Sequence, residues 1–69
     1  MKLSARNTLS GIVRQVQPGA VNAEVVIEIA PSINIVSVIT LDAVKSLKLK
    51  VGDRAYAVIK ASSVMIAVD

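Results

Sequence analysis

The chain contains neither cysteine nor histidine, and this limits how so short a chain can be stabilised. Its 69 residues form one domain at most, and domains of this length bury only about 60% of their unfolded surface. Such domains usually need disulfides, a metal ion or association with further copies. Disulfides and Cys/His metal sites are excluded here. Hydrophobic residues make up 54% of the chain, an apolar excess that must be covered. We therefore expect a homo-oligomer; a well-filled monomeric core is the alternative.

The alternation of apolar and polar residues predicts an all-β fold. Gly11 interrupts the first strand and predicts a bulge or a sharp bend, and Pro18-Gly19 predicts a turn. Val44 and Leu47 lie at helical spacing, and Asp42 before them can cap a short helix. The predicted strands cover residues 5–17, 21–30, 33–41, 55–60 and 64–68, and the predicted helix covers residues 42–49. This is the element order of a five-stranded OB-like barrel with one short helix between strands 3 and 4.

The third predicted strand is apolar on both of its faces. Ile35, Ile39 and Leu41 share one face, and Val36 and Val38 share the other. The second strand differs, because Glu24 and Glu28 make one of its faces polar. A strand that is apolar on both sides in so small a protein predicts a neighbouring molecule on the outer face. This pattern supports the expectation of an oligomer.

Catalytic residues are poorly represented, so we predict that the chain is not an enzyme. Without histidine or cysteine, and with five acidic residues spread along the chain, the common pairs of nucleophile and base are hard to build. Glu24 and Glu28 are too far apart on one strand face for a paired-carboxylate site. The three glycines are isolated, so there is no glycine-rich phosphate loop.

The net charge of +3 favours anionic partners. Nucleic acid is a possible anion, but single-strand readers normally stack bases on aromatic side chains, and Tyr56 is the only aromatic residue. No apolar run approaches the roughly 18 residues of a membrane span. The start of the chain lacks the long apolar stretch of a signal peptide. We therefore expect a cytoplasmic protein with no membrane partner.

Two short segments carry the residue types that a small oxyanion needs. Ser4-Ala5-Arg6-Asn7 enters the first strand, and Lys60-Ala61-Ser62-Ser63 lies between the last two predicted strands. A tetrahedral dianion has only acceptors, so its site needs cations, hydroxyls and backbone N–H groups, without a carboxylate nearby. Small residues such as Ala5 and Ala61 let backbone amides approach the anion, and turns can aim these amides inward. A Lys-Ala-Ser turn is also ordinary in a hairpin, so a plain surface turn remains the alternative.

The same segments belong to a series of motifs that resembles a known family. Ser4-Ala5-Arg6-Asn7-x-Leu9-x-Gly11 is similar to the opening of the molybdenum–pterin-binding proteins, or molbindins. Further similarity lies, in the same order, at Val21 to Val25, at Ser37-x-Ile39-Thr40 and at Ile59 to Met65. The resemblance spans essentially the whole chain. It implies a single molbindin or TOBE-like domain over residues 1–69 with an OB-like barrel.

The resemblance also implies a hexamer, arranged as a trimer of dimers, with oxyanions bound at subunit interfaces. Thr40 would lie near the main site, whose lining would be Ser4, Ala5, Arg6, Lys60, Ala61 and Ser62. A second site on a symmetry axis is assigned to the Gly19–Asn22 region, with Gly19, Val21 and Asn22 as its residues. Asp42 stands where many relatives carry a small polar residue, which does not affect the proposed site.

These observations predict reversible binding of molybdate for intracellular storage or homeostasis. Tungstate has nearly the same size and charge and should bind as well. No protein side chain is expected to ligate the metal directly, and no pterin pocket is expected, because stacking aromatics are missing. The alternatives are an OB-type nucleic-acid-binding module, and a structural domain whose apolar faces serve only to make an oligomer.

Overall fold

A computed structural model describes residues 2–69, so Met1 of the predicted domain lies outside the described part. The elements of the described part are β1 (Asn7–Pro18), β2 (Asn22–Ala30), β3 (Ile33–Thr40), α1 (Leu41–Leu47), β4 (Arg54–Ile59) and a 3₁₀ turn (Ala61–Ser63). The four strands form one curled antiparallel sheet in the order β3-β2-β1-β4. The predicted all-β class is confirmed, as is the short helix between the third and fourth strands.

β1 bends so that its two halves pair with different neighbours. Asn7 to Ile12 pair with β4, whereas Ile12 to Pro18 pair with β2, and the register shifts between Val13 and Gln15. The bend brings Gly11 against β2: an added Cβ would lie 2.5 Å from the carbonyl oxygen of Glu28. The irregularity predicted near Gly11 is therefore confirmed, and the close approach explains why no side chain fits there.

The core lies on the concave side of the curled sheet. Ala23, Val25 and Ile27 of β2 are buried and alternate with the exposed Glu24, as the sequence pattern predicts. Val13 of β1 and Ala57 of β4 complete the buried set. Five small and medium-sized side chains make a modest core, so much of the apolar surface of the chain remains uncovered.

The helix begins one residue earlier than predicted, and this changes its cap. Thr40 is the N-cap, and its Oγ1 accepts a hydrogen bond of 3.0 Å from the amide of Ala43. The prediction that Asp42 caps the helix is wrong, because Asp42 lies inside the first turn, where a negative charge is still favourable. The helix also ends earlier than predicted: it stops at Leu47, and Lys48 adopts the left-handed conformation with a φ of 54°.

The fifth strand predicted at residues 64–68 is not formed within the chain. After the 3₁₀ turn the backbone leaves the sheet, and Met65, Ile66 and Val68 are 93%, 86% and 90% exposed. We call Val64–Val68 the apolar segment. A closed five-stranded barrel is therefore wrong for one copy of the chain. The physical reason is that alternating apolar residues form a strand only beside a free sheet edge, and in this chain the segment lies beside none.

Both outer edges of the sheet are unpaired and border an apolar groove. This open groove has a volume of about 370 Å³. It is lined by Ser37 and Ile39 of β3, by Ala55, Tyr56 and Val58 of β4, by Val25 and Ile27 beneath them, and by Leu47 and Leu49 near the end of α1. On the outer face of β3, Val36 and Val38 are exposed, as their alternation predicts. The chain thus presents three uncovered apolar surfaces: the groove, the apolar segment and the outer face of β3.

Candidate functional site

The pairing of β1 with β4 brings the two predicted donor segments to the same end of the sheet. The ladder between these antiparallel strands ends at the pair Asn7 and Ile59. The segment Ser4–Arg6 runs into β1 just before this pair, and Lys60–Ser62 runs out of β4 just after it. We call these six residues the donor cluster. Its two halves lie far apart in the sequence, and the strand register makes them neighbours.

The 3₁₀ turn after β4 leaves two backbone amides available in this cluster. The amide of Ser63 donates to the carbonyl of Lys60 at 2.9 Å, and that of Val64 donates to the carbonyl of Ala61 at 3.2 Å. The first amides of such a turn have no acceptor within it. Within residues 2–69, those of Ala61 and Ser62 donate to no other protein group in the loops and turns. They can therefore donate to a ligand.

The cations of the donor cluster are not neutralised by acidic side chains. Arg6 and Lys60 are exposed, and neither forms a salt bridge in the described part of the chain. The ion pair found there joins Arg14 to Glu28 at 2.9 Å, on β1 and β2. Side chains at the ends of neighbouring strands thus place two positive charges at one end of the sheet. Such an arrangement favours an external anion that neutralises both charges.

Thr40 lies at the other end of β1 from the donor cluster. It pairs with Asn22 of β2, and the following residue, Leu41, donates a backbone hydrogen bond of 3.0 Å to the carbonyl of Val21. The amide of Gly19 donates to the carbonyl of Asn22 at 2.7 Å. Within one chain, Thr40 therefore lies beside Gly19, Val21 and Asn22, the residues of the predicted second site. The structure does not bring it together with Arg6 and Lys60.

The open groove is the feature that sequence reasoning missed. It follows from the unpaired edges of β3 and β4, and these edges stay open because residues 64–68 do not close the barrel. The signal available in the sequence was the inward-facing apolar residues of β3 and β4. Among residues 2–69, no group of three or more acidic, cysteine or histidine side chains could hold a metal ion. No helix in the same range is long and apolar enough to cross a membrane.

The fold and the site define a small all-β module with an exposed cluster of hydrogen-bond donors at one end of a curled sheet. Residues 3–66 match the family model of the TOBE domain. The chain is 51% identical, over the full length of both proteins, to a probable molybdenum-pterin-binding protein of Haemophilus influenzae. The chain therefore belongs to the TOBE domain family, and within it to the molbindin type.

Solved structures agree with this assignment. A molybdate-binding protein from Sporomusa ovata superposes with a TM-score of 0.91 at 34% identity, covering 99% of this chain and 100% of that one. The cytoplasmic molybdate-binding protein ModG, solved with molybdate bound, superposes with a TM-score of 0.84 at 49% identity. In that case the match covers 88% of this chain and 43% of the ModG chain. The curled sheet with its short helix is thus a shared fold.

Proposed function

We propose that this chain binds molybdate reversibly at the donor cluster and catalyses no reaction. The observation that carries the proposal is a cluster of two unpaired cations, serine hydroxyls and free backbone amides at one end of the sheet. The relatives named as molybdenum-pterin-binding or molybdate-binding proteins support molybdate as the ligand. We further propose a role in storing or buffering molybdenum in the cytoplasm.

The chemistry of the donor cluster suits a tetrahedral dianion. Arg6 and Lys60 neutralise its two charges, while the hydroxyls of Ser4 and Ser62 and the free amides fix its oxygens. Small side chains at positions 5 and 61 leave room for the oxygens to approach the backbone. Tungstate has almost the same size and charge, so it binds in the same way. A pterin is not expected, because Tyr56 is the only aromatic side chain and lines the groove instead.

We also propose that the binding unit is a homo-oligomer, arranged as a hexamer of three dimers, with sites between subunits. The three uncovered apolar surfaces support association, since isolated soluble chains rarely expose so much contiguous apolar area. In this arrangement the apolar segment of one copy fills the open groove of another and completes its barrel. Thr40, which is distant from the donor cluster within one chain, then reaches an oxyanion site from a neighbouring copy.

The proposed ligand is tested by calorimetric titration with four anions. Molybdate and tungstate should bind more tightly than sulfate and phosphate, because the donors fit a larger dianion. Phosphate near neutral pH is partly protonated and then presents an O–H group, for which the donor cluster has no acceptor. Equal affinity for all four anions would reduce the cluster to a general basic patch. A short oligonucleotide is the further control, since tight binding with a steep salt dependence would favour the nucleic-acid alternative.

The proposed assembly is tested by light scattering of the unliganded protein. At micromolar concentration the measured mass should be several times the 7.2 kDa of one chain. The reason is the small core, which leaves the groove and the apolar segment to be covered by other copies. A stable and compact monomer at this concentration would contradict the oligomer and any site shared between chains.

Thr40 allows the helix cap to be separated from anion binding. Both Thr40→Asp and Thr40→Asn should keep the cap, so the free energy of unfolding should change by less than about 0.5 kcal/mol. Thr40→Asp should nevertheless weaken molybdate binding roughly fivefold or more, because it adds a negative charge near the dianion. Thr40→Asn carries no charge and should bind nearly normally. Equal molybdate affinity of both variants would show that Thr40 serves only as the helix cap.

A further inference from the structure

The donor turn Lys60–Ser62 and the apolar segment are almost continuous in the chain. One residue, Ser63, separates them, and its amide donates to the carbonyl of Lys60 at 2.9 Å. The next amide, that of Val64, closes the 3₁₀ turn by donating to the carbonyl of Ala61 at 3.2 Å. The first residue of the apolar segment is therefore part of the hydrogen bonding of the donor turn. Whatever fixes Val64 also fixes the turn.

Within one copy, little else holds the donor turn in place. Residues 60–69 are all exposed, and the two backbone bonds of the turn are local. The side chain of Lys60 makes no cap to the turn, and no side chain of residues 60–69 forms a hydrogen bond within the described part of the chain. A segment with so few contacts opens at small free-energy cost. The orientation of the free amides of Ala61 and Ser62 is therefore weakly determined by the chain itself.

The apolar segment gains a firm position only when it is covered. Val64, Ile66 and Val68 alternate with Met65 and Ala67, which is the pattern of a strand with one buried face. The open groove offers apolar lining between two unpaired strand edges, so an added strand gains both hydrogen bonds and burial. Every copy carries both surfaces, so two copies can exchange segments reciprocally.

We propose that docking of the apolar segment in the groove of a second copy positions the donor turn, so that assembly and oxyanion affinity are coupled. This inference rests on the proposed function, because the ligand of the donor turn is taken to be molybdate. Docking orients the two free amides and Lys60 before the anion arrives. The ordering cost is then met by assembly and not by the ligand. Coupling of this kind is reciprocal, so molybdate must strengthen assembly by the same factor.

The test uses Ile66, which carries no donor for an anion. Ile66→Ser should weaken assembly in light scattering and should also weaken molybdate binding, by a factor of roughly 5 to 150. Ile66→Val keeps an apolar β-branched side chain and should restore both properties. Val51→Ser is the matched control, since it removes an exposed apolar side chain in a turn that does not line the groove. It should leave both measurements unchanged.

Two further measurements separate positioning from a general loss of structure. Amide hydrogen exchange at Ser63 and Val64 should be slow in the assembled protein without molybdate and fast in Ile66→Ser. Molybdate should lower the concentration at which the wild-type assembly dissociates. Lys60→Ala should abolish this effect while leaving the unliganded assembly intact.

The possible results distinguish this inference from the proposed function. If Ile66→Ser dissociates but binds molybdate with full affinity, positioning by the apolar segment is overturned and molybdate binding stands. If Ile66→Ser assembles normally, docking of the segment is overturned. If the wild-type protein binds no molybdate, the proposed function fails, while the exchange rates at Ser63 and Val64 still decide whether docking orders the turn.

Discussion

Replacing Lys60 or Arg6 by alanine should weaken molybdate binding roughly ten- to a hundredfold. Each substitution removes a charge-assisted hydrogen bond to a dianion, a loss of about 1.5–3 kcal/mol. The strand register places both cations at the same end of the sheet, and neither has a carboxylate partner in the described part of the chain. Calorimetric titration with molybdate at constant ionic strength measures the effect directly.

Lys45→Ala and Lys48→Ala are the matched controls for this experiment. Both lysines lie in or just after α1, and both substitutions change the net charge by the same amount. An exposed lysine outside the site contributes at most about 1 kcal/mol through its long-range field, and salt screens that contribution. The controls should therefore bind molybdate nearly as well as the wild-type protein. Equal weakening by all four substitutions would mean that only net charge matters and that the assigned site is wrong.

Gly11→Ala should lower the free energy of unfolding by about 1–3 kcal/mol. The added Cβ would lie 2.5 Å from the carbonyl oxygen of Glu28 and 2.6 Å from Cγ2 of Ile27. The first of these atoms belongs to the backbone of β2, so the conflict is relieved only by moving a strand. Because the protein is expected to associate, urea unfolding must be compared at one protein concentration.

Gly19→Ala is the natural comparison for this substitution. Its Cβ would meet the carbonyl oxygen of Asn22 at 3.2 Å, a contact that a small shift of the turn relieves. Gly19→Ala should therefore cost much less than Gly11→Ala. Similar costs at the two positions would show that the bend of β1 does not depend on the close approach at Gly11.

Sequence patterns predicted the parts of the fold that depend on local alternation. The inward residues of β2, the irregularity at Gly11 and the short helix all follow from neighbouring residues in the chain. The fifth strand failed because alternation shows that a segment can pair, but not that the same chain supplies the edge. The helix cap failed for a related reason. Thr40 and Asp42 can both cap, and the choice depends on where β3 ends.

The candidate site shows a similar division. Residue types alone identified the segments Ser4–Arg6 and Lys60–Ser62 as sources of anion donors. Their proximity depends on the register between Asn7 and Ile59, which composition and spacing do not reveal. The separation of Thr40 from these segments was likewise invisible, because it follows from the order of the strands in the sheet. Long-range pairing is the information that the residue pattern lacks.

The division of β1 between two partners has a consequence for the order of events during folding. Its second half can pair with β2 across a short turn, as soon as that hairpin has been synthesised. Its first half must wait for β4, which follows the β2–β3 hairpin and the helix, so this pairing closes a long loop at greater entropic cost. The donor cluster is therefore among the last features to form. A nascent or partly folded chain holds Arg6 and Lys60 apart, and its capacity for anions arises only when the sheet is complete.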